Sequence, residues 1–122
     1  MMARMIVPTA ALLSAFMLAL PVAASPESAS AYENGLAAYD DCHWSKAVAH
    51  FERAAAAGHV RSQEILGLML FAGPTLYGDA IRRDRSAARR WFDRAGASGS
   101  ELGALMAKHL AAGEETRAEL RR

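Results

Sequence analysis

The stretch that decides the fold runs from Asp84 to Gly99 and reads DRSAARRWFDRAGASG. A similar segment lies forty-one residues upstream, between Ser45 and Gly58, and reads SKAVAHFERAAAAG. The identical matched positions are Ser45/Ser86, Ala47/Ala88, Phe51/Phe92, Arg53/Arg94, Ala54/Ala95, Ala56/Ala97 and Gly58/Gly99. A repeat of this length is typical of stacked supersecondary units. The common spacing of ring, arginine and terminal glycine predicts an all-α protein built from repeated helix pairs.

The pattern of apolar residues predicts three helices in the first half of the chain. A connector over 25–29 is expected to be mobile, and Ser30 with Glu33 has the spacing of a capping box that opens the first helix. The second helix is predicted from about Trp44 to Ala57. The third, from Val60 to Ala72, is apolar on nearly every side, so we expect it to be covered on more than one face.

The second half is predicted to hold a folded-back loop and two helices. The loop spans 73–83, where Leu76, Tyr77 and Ile81 are expected to turn towards the bundle. Asp84 is the expected N-cap of the next helix. The repeat domain is predicted over 30–113, with Gly113 ending its last helix and 114–122 forming a charged cap or fraying tail.

The first 24 residues have the organisation of a secretory signal. Arg4 precedes an apolar run, and small residues lead to a predicted cleavage after Ala24. The alternative is an uncleaved membrane anchor. Export across an inner membrane to the periplasm follows from the first interpretation. Lys and Arg number 14 and Asp and Glu 13, so the exported chain is close to neutral, which argues against a nucleic-acid binder held by overall charge.

A longer pattern joins the third helix to the Asp84 stretch. It reads L-G-x-x-x-x-x-G, a loop with Ile three residues before Asp, and D-x-x-x-A-x-x-W-x-x-R-A-x-x-x-G. Its residues are Leu66, Gly67, Gly73, Ile81, Asp84, Ala88, Trp91, Arg94, Ala95 and Gly99, with Phe92 beside the Trp. This resembles the Sel-1-like repeat family, relatives of the tetratricopeptide repeats. The first helix pair looks like a less regular opening unit, through Gly35, Tyr39, Ala47, Phe51, Ala54 and Gly58.

The resemblance implies antiparallel helix pairs stacked into a right-handed superhelix of about two and a half units. It also implies a non-enzymatic adaptor that holds a peptide or a helix of a protein partner in its groove, without a cofactor. Two departures stand out. The loop before Asp84 is five residues longer than the family repeat, and Cys42 with His43 replaces the turn Gly and Asp expected before Trp44.

An arginine cluster is the most distinctive surface feature predicted. Its candidate partner-binding members are Arg82, Arg83, Arg85, Arg89 and Arg90. One interpretation is a docking patch for an acidic partner or an anionic envelope surface. The simpler one is a solvated helix face whose arginine stems cover Trp91 and Phe92.

The only cysteine, Cys42, is expected to be a partly buried thiol. Together with His43 and His50 it supports an alternative function, an envelope metal- or redox-linked protein. No H-x-x-x-H spacing is present to favour a metal site. Adjacent residues on a turn point apart, and no third group orients Cys42 and His43, so the sequence predicts no enzyme activity.

Overall fold

The computed structural model describes residues 25–122, and throughout that range every regular element is helical. The helices are α1 Pro26–Asp40, α2 Trp44–Ala56, α3 Val60–Ala72, α4 Pro74–Tyr77, α5 Arg85–Ala97 and α6 Glu101–Leu120, with a 3-10 turn at Gly78–Ala80 after α4. The all-α prediction is confirmed for this part of the chain. The predicted signal, 1–24, lies outside the described residues.

Extensive packing follows the order of the long helices, because α1 packs on α2, α2 on α3, α3 on α5 and α5 on α6. The third helix lies between two others, as its apolar sequence predicts. Its Leu66 and Met69 are completely buried. Helices α1 and α2 form one pair, α3 and α5 a second, and α6 follows the second pair.

The same kind of contact joins the two helices within each pair. A Cβ atom placed on Gly35 of α1 would lie 2.6 Å from the ring of Phe51 in α2. A Cβ atom on Gly67 of α3 would lie 2.8 Å from the ring of Phe92 in α5. Both rings are fully buried. In each pair, a phenylalanine ring therefore rests on the bare backbone of a glycine in the preceding helix.

The junctions that follow the two pairs also correspond. Gly58 and Gly99 end their helices with φ of 91° and 97°, a conformation that glycine adopts without steric cost. The next residues, His59 and Ser100, are N-caps whose side chains accept hydrogen bonds from the backbone N–H groups of Ser62 and Gly103. The repeat seen in the sequence thus continues into α3 and α6.

Most repeat-signature residues are structural. Those that are buried are Gly35, Ala47, Phe51, Ala54, Leu66, Gly67, Gly73, Ala88, Phe92 and Ala95. Tyr39 and Trp91 are only partly buried. Trp91 packs against the core, and the guanidinium of Arg94 lies 4.9 Å from the centre of its ring.

The first helix begins earlier than predicted. Ser25, not Ser30, is its N-cap, and the Ser25 side chain accepts a hydrogen bond from the backbone N–H of Ser28. Pro26 occupies the first turn, where its missing N–H costs nothing. The expected connector at 25–29 is therefore the start of α1, and Ser28 is buried within it.

The last helix does not end at Gly113. It continues to Leu120, and the tail predicted over 114–122 is largely helical and mostly exposed. Glycine weakens a helix interior by about 1 kcal/mol relative to alanine but does not by itself end one. Here the carboxylate of Glu114, one residue later, accepts a 2.5 Å hydrogen bond from Arg89 of α5 and holds the helix to the bundle.

Replacing the pair glycines tests the ring-on-backbone contact. We expect Gly35→Ala and Gly67→Ala each to lower the free energy of unfolding by about 1 to 3 kcal/mol, since the added methyl overlaps a buried ring. Gly113→Ala is the matched control. Its Cβ would have only the Arg85 side chain nearby, at 3.8 Å, so the gain in helix propensity should stabilise the protein by about 0.5 to 1 kcal/mol. Urea unfolding measures all three, and stabilisation by Gly35→Ala would contradict the contact.

The His59 cap predicts a pH dependence of stability. Its Nδ1 accepts the N–H of Ser62 at 3.2 Å, so the cap needs the unprotonated ring. Burial lowers the pKa of His59 below its ordinary value of 6.5, although the nearby Glu33 carboxylate opposes this shift. The unfolded chain therefore binds the proton more readily, and the stabilisation is complete above about pH 6.5 and is lost as the pH falls through and below that value.

His59→Asn keeps a capping side chain that does not titrate. We expect this variant to lose less stability than the wild type between about pH 8 and about pH 5, measured by urea unfolding. The histidines at 43, 50 and 109 remain in both proteins and cancel in the comparison. Equal losses would show that His59 does not cap α3 in solution.

Candidate functional site

The candidate site is built on the segment between Gly73 and Asp84, which contains α4 and the 3-10 turn that follows it. The first residue of the segment, Gly73, has a φ of 53° and lies against Arg83 near its end. A Cβ there would lie 2.8 Å from the backbone nitrogen of Arg83, so only glycine allows the ends to approach so closely. The Asp84 N–H then donates to the carbonyl of Leu70 at 3.0 Å. The segment is a closed insert on the end of the second pair.

Aromatic contacts fix the insert against the first pair. The hydroxyl groups of Tyr77 and Tyr39 lie 3.0 Å apart, and the Tyr77 ring meets the edge of Trp44 with 5.1 Å between ring centres. Burial and the hydrogen bond with Tyr39 raise the pKa of Tyr77, so its hydroxyl stays protonated. Tyr77 and Ile81 are buried, as the sequence predicts. The insert is therefore anchored at two points.

Leu76 is the exception among the apolar residues of the insert. It is 67% exposed, although the sequence predicts that it turns inward. The reason is that α4 is a single turn, and the neighbouring Tyr77 takes the position that faces the bundle. Burial of one of these adjacent side chains leaves the other in solvent.

Leu76 borders an open groove of about 420 Å³ at the ends of α3 and α5. Its lining is Phe71, Ala72, Thr75, Leu76, Arg83 and Arg85. We call this the insert groove. It has an apolar side made by Phe71 and Leu76 and a cationic side made by two arginines.

The two arginines of the insert groove are held differently. One Arg83 nitrogen donates to the carbonyl of Ala72 at 3.0 Å and to the hydroxyl of Thr75 at 2.6 Å, so this arginine also closes the insert. The Arg85 guanidinium lies 5.3 Å from the centre of the Phe71 ring, within cation–π range. Among residues 25–122, neither arginine has a carboxylate within 4.0 Å.

The other candidate arginines do not join this groove. Arg89 pairs with Asp93 at 3.7 Å and with Glu114, so its charge is compensated within the fold. Arg82 and Arg90 are exposed. The predicted cluster is therefore split, and only Arg83 and Arg85 converge on one cavity. The sequence does not indicate the part played by Phe71, although the extra loop length marks the place.

A second groove of about 390 Å³ runs between α5 and α6. Arg89, Asp93 and Lys108 line it together with small residues. The backbones of the two helices are in close contact here, because a Cβ on Gly103 would lie 2.7 Å from the nitrogen of Gly96. This groove is the seam of a helix crossing.

The turn between α1 and α2 differs from the expectation for Cys42. The thiol is exposed, not partly buried, and Cys42 has a φ of 59°. This left-handed backbone conformation is one that glycine adopts most readily. Cys42 and His43 line an open groove together with Trp44, Ser45, Lys46 and Ala80.

The alternative metal site is not assembled by the residues that the structure describes. Across 25–122, no group of three or more His, Cys, Asp or Glu side chains is placed to hold a metal ion. His50 lies on α2, and its buried Nδ1 has no hydrogen-bond partner there. It is not part of the groove beside Cys42. Separately, no helix in this range has the length and apolar character that crossing a membrane requires.

The backbone at Cys42 gives a stability prediction. A left-handed conformation costs a residue with a Cβ roughly 1 to 2 kcal/mol. Cys42→Gly should therefore be more stable than Cys42→Ala by about 1 kcal/mol, after the greater chain entropy of glycine is subtracted. Both variants remove the thiol, so their difference in thermal unfolding isolates the backbone. Equal melting temperatures would mean that the turn is not left-handed in solution.

The chain finds no match in comparisons with protein-family models, with curated proteins and with solved structures. Function therefore has to be argued from the insert groove and from the repeated contacts around it.

Proposed function

We propose that this protein is an exported, non-enzymatic interaction module of the cell envelope that binds a protein partner in the insert groove. The observation that carries the proposal is Leu76, a large apolar side chain that is mostly exposed beside an anchored, buried tyrosine. Insertions in helical repeats often carry the binding surface. The extra residues of this repeat build the rim of its groove.

The groove has the properties of a preformed binding site. Tyr77 and Gly73 fix the insert, so a partner does not have to order it, and little conformational entropy is lost on binding. Phe71 and Leu76 offer apolar area to bury, while the arginines provide directional polar contacts. Interfaces typically combine an apolar centre with enriched aromatic and arginine residues.

Two structural correspondences support the Sel-1-like architecture as part of this proposal. The Phe51–Gly35 and Phe92–Gly67 contacts make the two pairs equivalent, which is the property that a stacked array requires. In α6, Lys108 occupies the position that corresponds to Gly67 when the repeat is extended by forty-one residues. Lys108 is exposed, so a long charged side chain stands where another pair of this kind would need a glycine.

Export is supported by the position of the first described helix. The sequence predicts cleavage after Ala24, and Ser25, the next residue, is the N-cap of α1. Cleavage there would keep α1 and its N-cap whole. The first helix would start at the new N-terminus.

The proposal is tested by crosslinking the leaderless protein in an envelope extract and identifying the captured protein by mass spectrometry. Leu76→Ser should reduce capture about tenfold, equivalent to about 1.4 kcal/mol of binding free energy. Leu105→Ser is the matched control, because Leu105 is 66% exposed, almost the same as Leu76, but lies on α6. It should leave capture unchanged.

Two results would overturn this assignment. One is an equal loss in both leucine variants, which would indicate non-specific apolar adhesion. The other is tight, stoichiometric binding of zinc or copper that disappears in a Cys42→Ala, His43→Ala double variant. That outcome would favour the metal- or redox-linked alternative.

A further inference from the structure

We infer that the occupant of the insert groove is an acidic segment of a protein chain that places a carboxylate next to a large apolar side chain. This inference rests on the proposed function and adds the chemistry of the partner. It follows from the apolar and cationic halves of one small cavity.

The apolar side of the insert groove determines which kind of ligand side chain can be buried there. Phe71 is partly buried, whereas Leu76 is free over most of its surface. Full burial of a ligand leucine, isoleucine or phenylalanine between them is favourable, since apolar side chains gain free energy on leaving water. A cavity of about 420 Å³ can hold one such side chain and the adjoining backbone, but not a folded domain.

The cationic side of the insert groove determines the charge of the ligand group that binds there. Arg85 makes no side-chain hydrogen bond or ion pair with residues 25–122, and its guanidinium lies over the ring of Phe71, with one nitrogen near Gly113 of α6. Its planar guanidinium therefore keeps its donors for a ligand, and the group that matches their geometry is a carboxylate. Arg83 has already used one nitrogen on Ala72 and Thr75, so it contributes its remaining donors and its charge.

Asp84, which lies between the two groove arginines in the sequence, forms no ion pair with either of them. The carboxylate of Asp84 accepts the N–H of Ala87 at 2.9 Å as the N-cap of α5. A capping carboxylate at a helix N-terminus is held by backbone donors. The excess positive charge of the groove is therefore left for an external anion.

The shape of the site favours a peptide over a lipid surface. A bilayer would be bound by several cations on one exposed plane, but Arg89 is paired with Asp93 and Glu114, and Arg83 faces the insert. In the groove, the apolar and cationic sides border a single concave site. That arrangement matches neighbouring side chains of one extended chain.

Selection from a random peptide library displayed on phage, with the leaderless protein as bait, tests the inference. The enriched peptides should carry Asp or Glu beside Leu, Ile or Phe. A labelled synthetic copy of the leading peptide should bind about tenfold more weakly to Arg85→Gln, measured by fluorescence polarisation. Arg90→Gln is the matched control, since it removes the same charge from the same helix outside the groove, and it should bind like the wild type. Binding should also weaken as salt is raised.

The outcomes separate the two proposals. Enriched peptides that lack acidic residues, yet lose binding with Leu76→Ser, would overturn this inference and leave the proposed function standing. Equal binding to Arg85→Gln and wild type would do the same. If no peptide is enriched and phosphatidylglycerol vesicles bind in an Arg85-dependent manner, the groove is a lipid contact and both proposals are wrong.

Discussion

The close approach of a phenylalanine ring to a glycine backbone is the contact on which the rest of the structure depends. Gly35 under Phe51 and Gly67 under Phe92 let the axes of two helices come near enough for one ring to fill the space between them. Small chains gain limited apolar burial, and this protein has a single cysteine, so no intramolecular disulfide can add to its stability. Dense packing at these two points has to supply much of it.

Repetition of that contact explains the organisation of the chain. Because both pairs use the same ring and the same small partner, each pair is closed in the same way, and α2 of the first pair packs on α3 of the second. After each pair, Gly58 or Gly99 turns the chain in the same way, and a side-chain cap starts the next helix. The inter-unit hydrogen bond from the Ser100 hydroxyl to Glu64, 2.5 Å long, joins the start of α6 to α3. The folded state is thus held by short-range contacts between successive helices.

The one irregular feature, the insert after α3, is also where the surface has its most specific chemistry. It is closed by Gly73 and Arg83. Its Tyr77 and Ile81 belong to the hydrophobic core together with Leu66 of α3. Leu76, by contrast, is exposed, and the guanidinium of Arg85 has no ion pair within residues 25–122. The insert therefore adds to the core on one side and offers an apolar and a charged element at the surface on the other.

The sequence by itself determined the helices, their order and the equivalence of the two pairs, because ring spacing, terminal glycines and apolar periodicity are local properties of the chain. It also placed Arg83 and Arg85 in a candidate arginine cluster, but it assigned no binding site to the insert. Only the tertiary structure decided which residues form that site. Leu76 and Tyr77 are adjacent and both apolar, and their opposite exposure depends on Tyr39 and Trp44 of the other pair. Arg89 is compensated in part by Asp93, a local pair four residues on. Its second partner, Glu114, and the Phe71 ring under Arg85 are distant in sequence, so these contacts are visible only in the tertiary structure.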